Sequence, residues 1–426
     1  MKKLLFVSIN IVSIALLASC GAKQEEKFAP SLDTETSCTL KVVGDYSNFE
    51  ALEAEFDRFN EYYPNVRLSY SKVDDYNNSL ATVLESDDKP NIFCSFPSMM
   101  GNEKFNAVIS HMEDLSDPAL KLDLSTLRSS LIKKDASGKV FMAPVFSRTY
   151  GMLVNNDLFK KENINVPTNW ADLVSASSAL AEKGYNPIMG YSKDNKSSTG
   201  LMNVIAYPSF VAELSKNPEA LEKANNLDSS AGEYMRNGLT VVKNLVDNGA
   251  INIAKCDEIG DNYEKVLLRF FEGDVPMMVC NGDTVSGAKK REAKSEAFTN
   301  NPFDYSFYPI PVNEQGGYFI DSPSLEFSVN KDCENLDMTN EFMRFILRTD
   351  ELKNLASLKG LIPATKSMSF APVYAPFNNF PADRTISPEV IGVKDNLAKQ
   401  IRIASYKVGK GELTIDEAVA NYGTLE

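Results

Sequence analysis

A chain of 426 residues exceeds what one hydrophobic core supports, so two domains are expected. Its 43% hydrophobic and 10% aromatic content is that of a globular protein, while a net charge of −14 disfavours nucleic acid and an anionic bilayer surface as partners. A single histidine, His111, and cysteines without a CxxC pair argue against the usual zinc site, and neither metal nor cofactor is expected.

The chain opens with a targeting signal. Lys2 and Lys3 precede an apolar run from Leu4 to Leu17 that ends in small residues and is too short to span a bilayer comfortably. Residues 1–19 therefore read as a secretory signal peptide. Leu17-Ala18-Ser19-Cys20 resembles a bacterial lipobox, which implies a diacylglycerol on the Cys20 thiol and cleavage just before it. No second long apolar stretch follows, so membrane attachment is expected to rest on that lipid. Residues 20–37 read as the lipidated N-terminus and a flexible tether, because Ala22–Thr36 is polar and aperiodic. Cys38, Cys94, Cys256, Cys280 and Cys333 remain, an odd number, so at least one is unpaired or pairs between molecules. Cys94 and Cys280 lie in apolar runs and read as small buried hydrophobes.

Leu40–Val43 predicts a strand that ends in the turn Gly44-Asp45-Tyr46. Ser47 and Glu50 have capping-box spacing. The helix they open carries Phe49, Leu52, Phe56, Phe59 and Tyr63 on one stripe and stops at Pro64. Val66–Tyr70 alternates as a strand, a helix carries Tyr76, Leu80, Val83 and Leu84, and Asn91–Phe96 is a third strand. This alternation implies a parallel sheet with right-handed crossovers, whose ligands bind at the carboxyl ends of strands. Asp45, Tyr46, Phe96 and Ser98 fall at that edge. Gly138–Val145 and Arg148–Phe159 read as a strand that enters, a crossing, and a strand that leaves. Pro167–Leu173 starts a helix with Thr168 or Asn169 as its cap and Trp170 in its first turn. Pro187–Tyr191 continues the alternation and Leu201–Val246 is largely helical. Phe270–Asp283 reads as helix end, tight turn, buried strand and glycine turn. Tyr305–Ile310 and Tyr318–Val329 are strands, Glu341–Leu352 an amphipathic helix, Leu361–Ala364 a short extended segment and Asn396–Leu425 a helical tail.

The order of these blocks resembles that of the extracellular solute-binding proteins of ABC importers, in their sugar-binding, maltose-binding-protein-like class. The resemblance rests on Gly138–Phe159, on Pro167–Leu173, on Phe271–Met278, on Gly360–Ala364 and on Gly411–Ala418, in family order behind a lipobox. It implies an α/β, two-lobed periplasmic-binding-protein-like fold of type II, with parallel-rich sheets, flanking helices and a ligand cleft between the lobes. The expected lobes are 38–147 plus 305–331, and 148–304 plus 332–426. Their crossings are expected near 146–150, 305–309 and 330–336. The resemblance also implies a monomer that closes on a small carbohydrate and delivers it to an ABC transporter membrane permease.

Candidate ligand contacts follow from position. Asp45 is placed to accept sugar hydroxyls and Tyr46 to stack on a pyranose face, with Phe96 and Ser98 beside them. Arg148 falls at the first crossing, where a guanidinium grips hydroxyl pairs or a carboxylate. Asn281 and Asp283 follow a buried strand, Asp321 and Ser324 lie near the last crossing, and Tyr191 is an aromatic face from the second lobe. Trp170 reads as structural, since it belongs to the helix start. The relatives' tryptophan after the Asn-Gly turn is replaced here by Asp283-Thr284-Val285. These acceptors and faces favour a neutral saccharide over an anion. Two other readings stay open. One is a surface glycosidase using Asp45, Asp283 and Asp321, although no Gly-x-Ser-x-Gly or HExxH motif is present and no catalytic residue is assigned. The other is the same fold binding a peptide, polyamine or phosphorylated compound.

Overall fold

The computed structural model describes residues 27–260 and 262–426; the signal peptide, Cys20 and the residues up to 26 lie outside the described residues. In chain order the strands are β1 (Cys38–Gly44), β2 (Val66–Lys72), β3 (Ile92–Ser95), β4 (Ala143–Arg148), β5 (Tyr150–Asn155), β6 (Ile188–Met189), β7 (Met277–Asn281), β8 (Tyr305–Tyr308), β9 (Phe319–Ile320), β10 (Ser322–Val329), β11 (Ile362–Pro363) and β12 (Thr385–Ile386). They form a six-stranded sheet of order β11-β4-β10-β3-β1-β2, a four-stranded sheet of order β6-β7-β5-β8, and the short pair β12-β9. Pairing is parallel for β1 with β2 and β3, as the strand–helix alternation predicts, and for β6 with β7. It is antiparallel where the chain re-enters a sheet through the crossings: β10 with β3 and β4, and β5 with β7 and β8.

Each sheet carries its own core. Leu40, Leu52, Phe93, Phe146, Phe327 and Phe342 belong to one apolar cluster, and Leu153, Leu173, Phe210, Phe270, Met278 and Leu397 to the other. Two clusters on two sheets are two lobes. β4 ends at Arg148 in the first sheet and β5 begins at Tyr150 in the second, so Thr149 alone links them, inside the expected first crossing.

The remaining boundaries differ from expectation. β8 pairs with β5, which puts 305–308 in the second lobe, so the second crossing runs between Tyr308 and Ser322. The helices Leu336–Ile346 and Thr349–Lys359, with β11, stay with the first lobe. Their apolar stripe supplies Phe342 and Phe345, which close over Phe56 and Phe59 of the helix Glu50–Asn60 at centroid separations of 5.1–5.4 Å. The third crossing therefore follows Ala364 rather than 330–336. The expected helix Glu341–Leu352 is two helices with a break at Leu347 and Arg348.

The N-terminal part of the described chain is not a solvated tether. Phe28 is 5% exposed, with its ring 5.1 Å from that of Tyr62 and 5.3 Å from that of Phe345, and the Arg344 guanidinium lies 4.4 Å from its centroid. Ser31 donates from its backbone N–H (2.8 Å) and its hydroxyl (2.6 Å) to the Glu341 carboxylate. One well-placed aromatic docks a segment that has no periodicity to announce it. The Ser47 capping box also does not form: the helix starts at Glu50 behind Phe49, without a side-chain cap. Asn169 does cap its helix, accepting the Asp172 N–H at 2.9 Å, with Trp170 in the first turn and packed on the second core. The five described cysteines are free thiols. Among the described residues no helix is long and apolar enough to cross a membrane.

Candidate functional site

The first crossing sets the site. Arg148 and Tyr150 stand on either side of Thr149, one at the end of the first sheet and one at the start of the second. Asn281, the last residue of β7, accepts the backbone N–H of Thr284 at 3.0 Å and so caps the helix Gly282–Ser286. That cap fixes Asp283. Its carboxylate accepts from Asn281 Nδ2 at 3.2 Å within its own lobe, and from Arg148 Nη1 at 3.3 Å and Ser324 Oγ at 3.0 Å in the other lobe. Arg148, Asn281, Asp283 and Ser324, each expected as a ligand contact, are thus brought together in one network across the lobe boundary.

Two cavities open on this network, of about 280 and 540 Å³, and share Arg148 and Ser198. The smaller is lined by Tyr191, Asn281 and Asp283. Tyr191 is 4% exposed and its hydroxyl donates to Asp194 at 2.8 Å, so it forms wall rather than a free face. The larger is lined by Tyr150, Asn203, Tyr207, Glu389 and Arg402. The rings of Tyr150 and Tyr207 meet edge to face at 5.6 Å. Asn203 donates to the Ser198 carbonyl at 2.7 Å, which leaves its Oδ1 buried without a partner. Both Glu389 oxygens lie 2.9 Å from Ser322 Oγ. Burial raises the Glu389 pKa, against the opposing pull of the Ser322 bond and the Arg148 charge.

The other expected residues do not line these two cavities. Asp45 and Ser98 are exposed, Phe96 packs against Tyr76 at 6.2 Å, and none of these three, nor Tyr46, lines either cavity. The Tyr46 ring is already occupied, with Lys359 Nζ 3.9 Å from its centroid and Phe49 edge-on at 5.1 Å. Asp321 is fully buried. Its oxygens accept from Arg128 Nε and Nη2 at 2.9 Å each, from Ser147 at 2.5 Å and from Ser130 at 2.7 Å. Burial alone would raise its pKa; the Arg128 charge and these donors reverse that and hold it low. With no exposure and no spare lone pair, Asp321 is a fastening of the crossing and not a group that meets ligand.

Glu389, Tyr150, Tyr207, Asn203 and Arg402 were not anticipated. Tyr150 had a signal, two residues past Arg148 at the crossing. Asn203 and Tyr207 are four apart on the helix Leu201–Leu214, on one face. The sequence there is so apolar that no face stands out.

A model of the bacterial extracellular solute-binding proteins matches residues 44–353, and the chain belongs to that family. Solved structures share the fold. RafE in complex with raffinose is 17% identical, with a TM-score of 0.67 over 91% of this chain and 98% of its own. The apo form of RafE from Streptococcus pneumoniae is 16% identical, with a TM-score of 0.67 over 93% and 98%. The GacH receptor of Streptomyces glaucescens, solved unliganded and with acarbose, is 21% identical, with a TM-score of 0.64 over 91% and 97%. A sequence search of curated proteins found no significant match.

Proposed function

We propose that this extracellular solute-binding protein captures an oligosaccharide between its lobes and delivers it to an ABC importer permease, held to the membrane by a lipid on Cys20. The observation that carries the reading is the pair of adjoining cavities at the crossing. Their walls combine tyrosine faces with hydrogen-bonding side chains, the surface a polyhydroxylated ring requires. Raffinose and acarbose in structural neighbours support it. In this reading Tyr150 and Tyr207 give apolar faces, Asn203 and Glu389 pair with hydroxyls, Arg148 stands between the cavities and Asp283 lines the smaller one. Asn281 and Ser324 position Asp283.

A glycosidase is the weaker reading. Of its three carboxylates, Asp321 is walled in and Asp283 spends its oxygens on three donors. Calorimetry and thermal melting against oligosaccharides test the proposal. A bound sugar should raise Tm with its concentration and be recovered intact. Hydrolysis of the sugar, or no binding across saccharide classes with binding of a peptide or polyamine instead, would reject it. For the anchor, Cys20→Ala should release the protein from the membrane fraction; retention at the native level with correct processing would reject it.

A further inference from the structure

We propose that the saccharide is acidic: the larger cavity is built for a sugar that carries a carboxylate, a uronic acid unit, gripped by Arg402 with Lys399 beside it. This rests on the carbohydrate reading above. The helix Asp395–Gly409 presents Asp395, Lys399 and Arg402 to the cavity at intervals of four and three residues, on one face. The Arg402 side chain makes no hydrogen bond or ion pair with any described residue, and its Nε is buried without a partner. A guanidinium stays charged and only donates, so such a group requires an acceptor, and a carboxylate matches both its charge and its fork.

Two other charged groups around the cavity have partners. Arg148 faces Asp283, and Glu389 accepts from Ser322. That leaves Lys399 and Arg402 against Asp395 and Glu389, whose charge one serine hydroxyl does not cancel, and among these Arg402 alone has a buried donor without a partner. Asn203 Oδ1, buried and unpartnered in the same wall, adds an acceptor for a hydroxyl. An uncommitted cationic fork beside an orphan acceptor suits one ring bearing both a carboxylate and hydroxyls. This departs from the preference for a neutral sugar, which rested on the family resemblance, on Asp45 and Asp283 as acceptors and on Tyr46, Phe96 and Tyr191 as faces; of these, Asp283, Tyr46 and Tyr191 are engaged within the protein.

The test is calorimetry on the full mature protein with oligomers of galacturonate, glucuronate and mannuronate, each paired with its carboxyl-reduced counterpart, and with raffinose and maltotriose. At least one uronide should bind at least tenfold tighter than its reduced counterpart, and its affinity should fall as salt rises. Arg402→Gln should weaken uronide binding ten- to a hundredfold and change the reduced sugar less than threefold. Lys399→Gln, at an exposed position that does not bear on folding, should weaken it about threefold or more. Equal affinity for acid and reduced forms, or full uronide affinity in both variants, would overturn the inference. Binding of neutral sugars alone overturns the acidic assignment and leaves the carbohydrate reading standing; binding of no saccharide overturns both.

Discussion

Asp321 and Glu326, both fully buried near the crossing, put burial to opposite use. Asp321 is ionised because Arg128 and two serine hydroxyls satisfy it, and Arg128 in turn donates to the carbonyls of Pro363 and Thr365. Asp321→Asn should strand that guanidinium and cost roughly 3–5 kcal/mol in urea unfolding, since one partner of a buried pair remains; a loss below about 1 kcal/mol would show that the pair is not integral. Neither oxygen of Glu326 has a hydrogen-bond partner among the described residues. Burial first, then the Glu389 charge, push its pKa up to about 8, with Lys133 the opposing charge. Between the ordinary 4.5 and about 8 the unfolded chain has released this proton and the folded chain has not. The contribution is therefore complete below 4.5 and is lost as pH rises, at about 1.4 kcal/mol per pH unit while this group titrates alone. Glu326→Gln should leave melting at pH 4 nearly unchanged and make the protein more stable than the parent at pH 8. Parallel Tm–pH curves for the two would sink that account.

Among the elements, the docked segment around Phe28 and the cap at Asn281 are the ones whose removal is informative. Phe28→Ala should lower unfolding free energy by about 3 kcal/mol, as for other buried aromatics, and loosen Ser31 from Glu341. An effect near zero would mean that this stretch is a tether after all. Asn281→Ala should cost about 1 kcal/mol through the lost cap at Thr284 and weaken ligand binding by freeing Asp283. The elements that were legible in the sequence are those with a period and a stop. β1 to β3 alternate with helices bounded by Gly44 and Pro64, and the first crossing lies between two apolar strands at Arg148. Phe28 was illegible because a single aromatic has no period. The third crossing was misplaced because the stripe of the helix Leu336–Ile346 tells which face is buried but not against which sheet. The face Asp395, Lys399 and Arg402 was illegible as a site because a charged stripe on a helix reads as solvated; only the fold turns it toward a cavity.

At the scale of the whole molecule, the lobes are held in register by more than the covalent crossings. Asp283 of the second lobe reaches Arg148 and Ser324 of the first, so a closing contact exists before any ligand arrives. Its strength is modest. The Arg148 and Asp283 side chains are 46% and 39% exposed, and pairs so open to water contribute about 0–1 kcal/mol. A bias of that size shifts an open–closed ratio by no more than about fivefold, small enough for a ligand that contacts both lobes to override and large enough to shape the free state. Asp283→Ala should therefore raise the radius of gyration of the ligand-free protein in small-angle scattering. The parent in 1 M salt should move part of the way toward the variant, because the ion pair is screened and the Ser324 hydroxyl bond is not. Ser324→Ala should show the complementary pattern, a smaller expansion that salt enlarges. If the free radius is the same in the parent, Asp283→Ala and Ser324→Ala, the contact does not bias closure, and the relation of the lobes is set by the crossings alone.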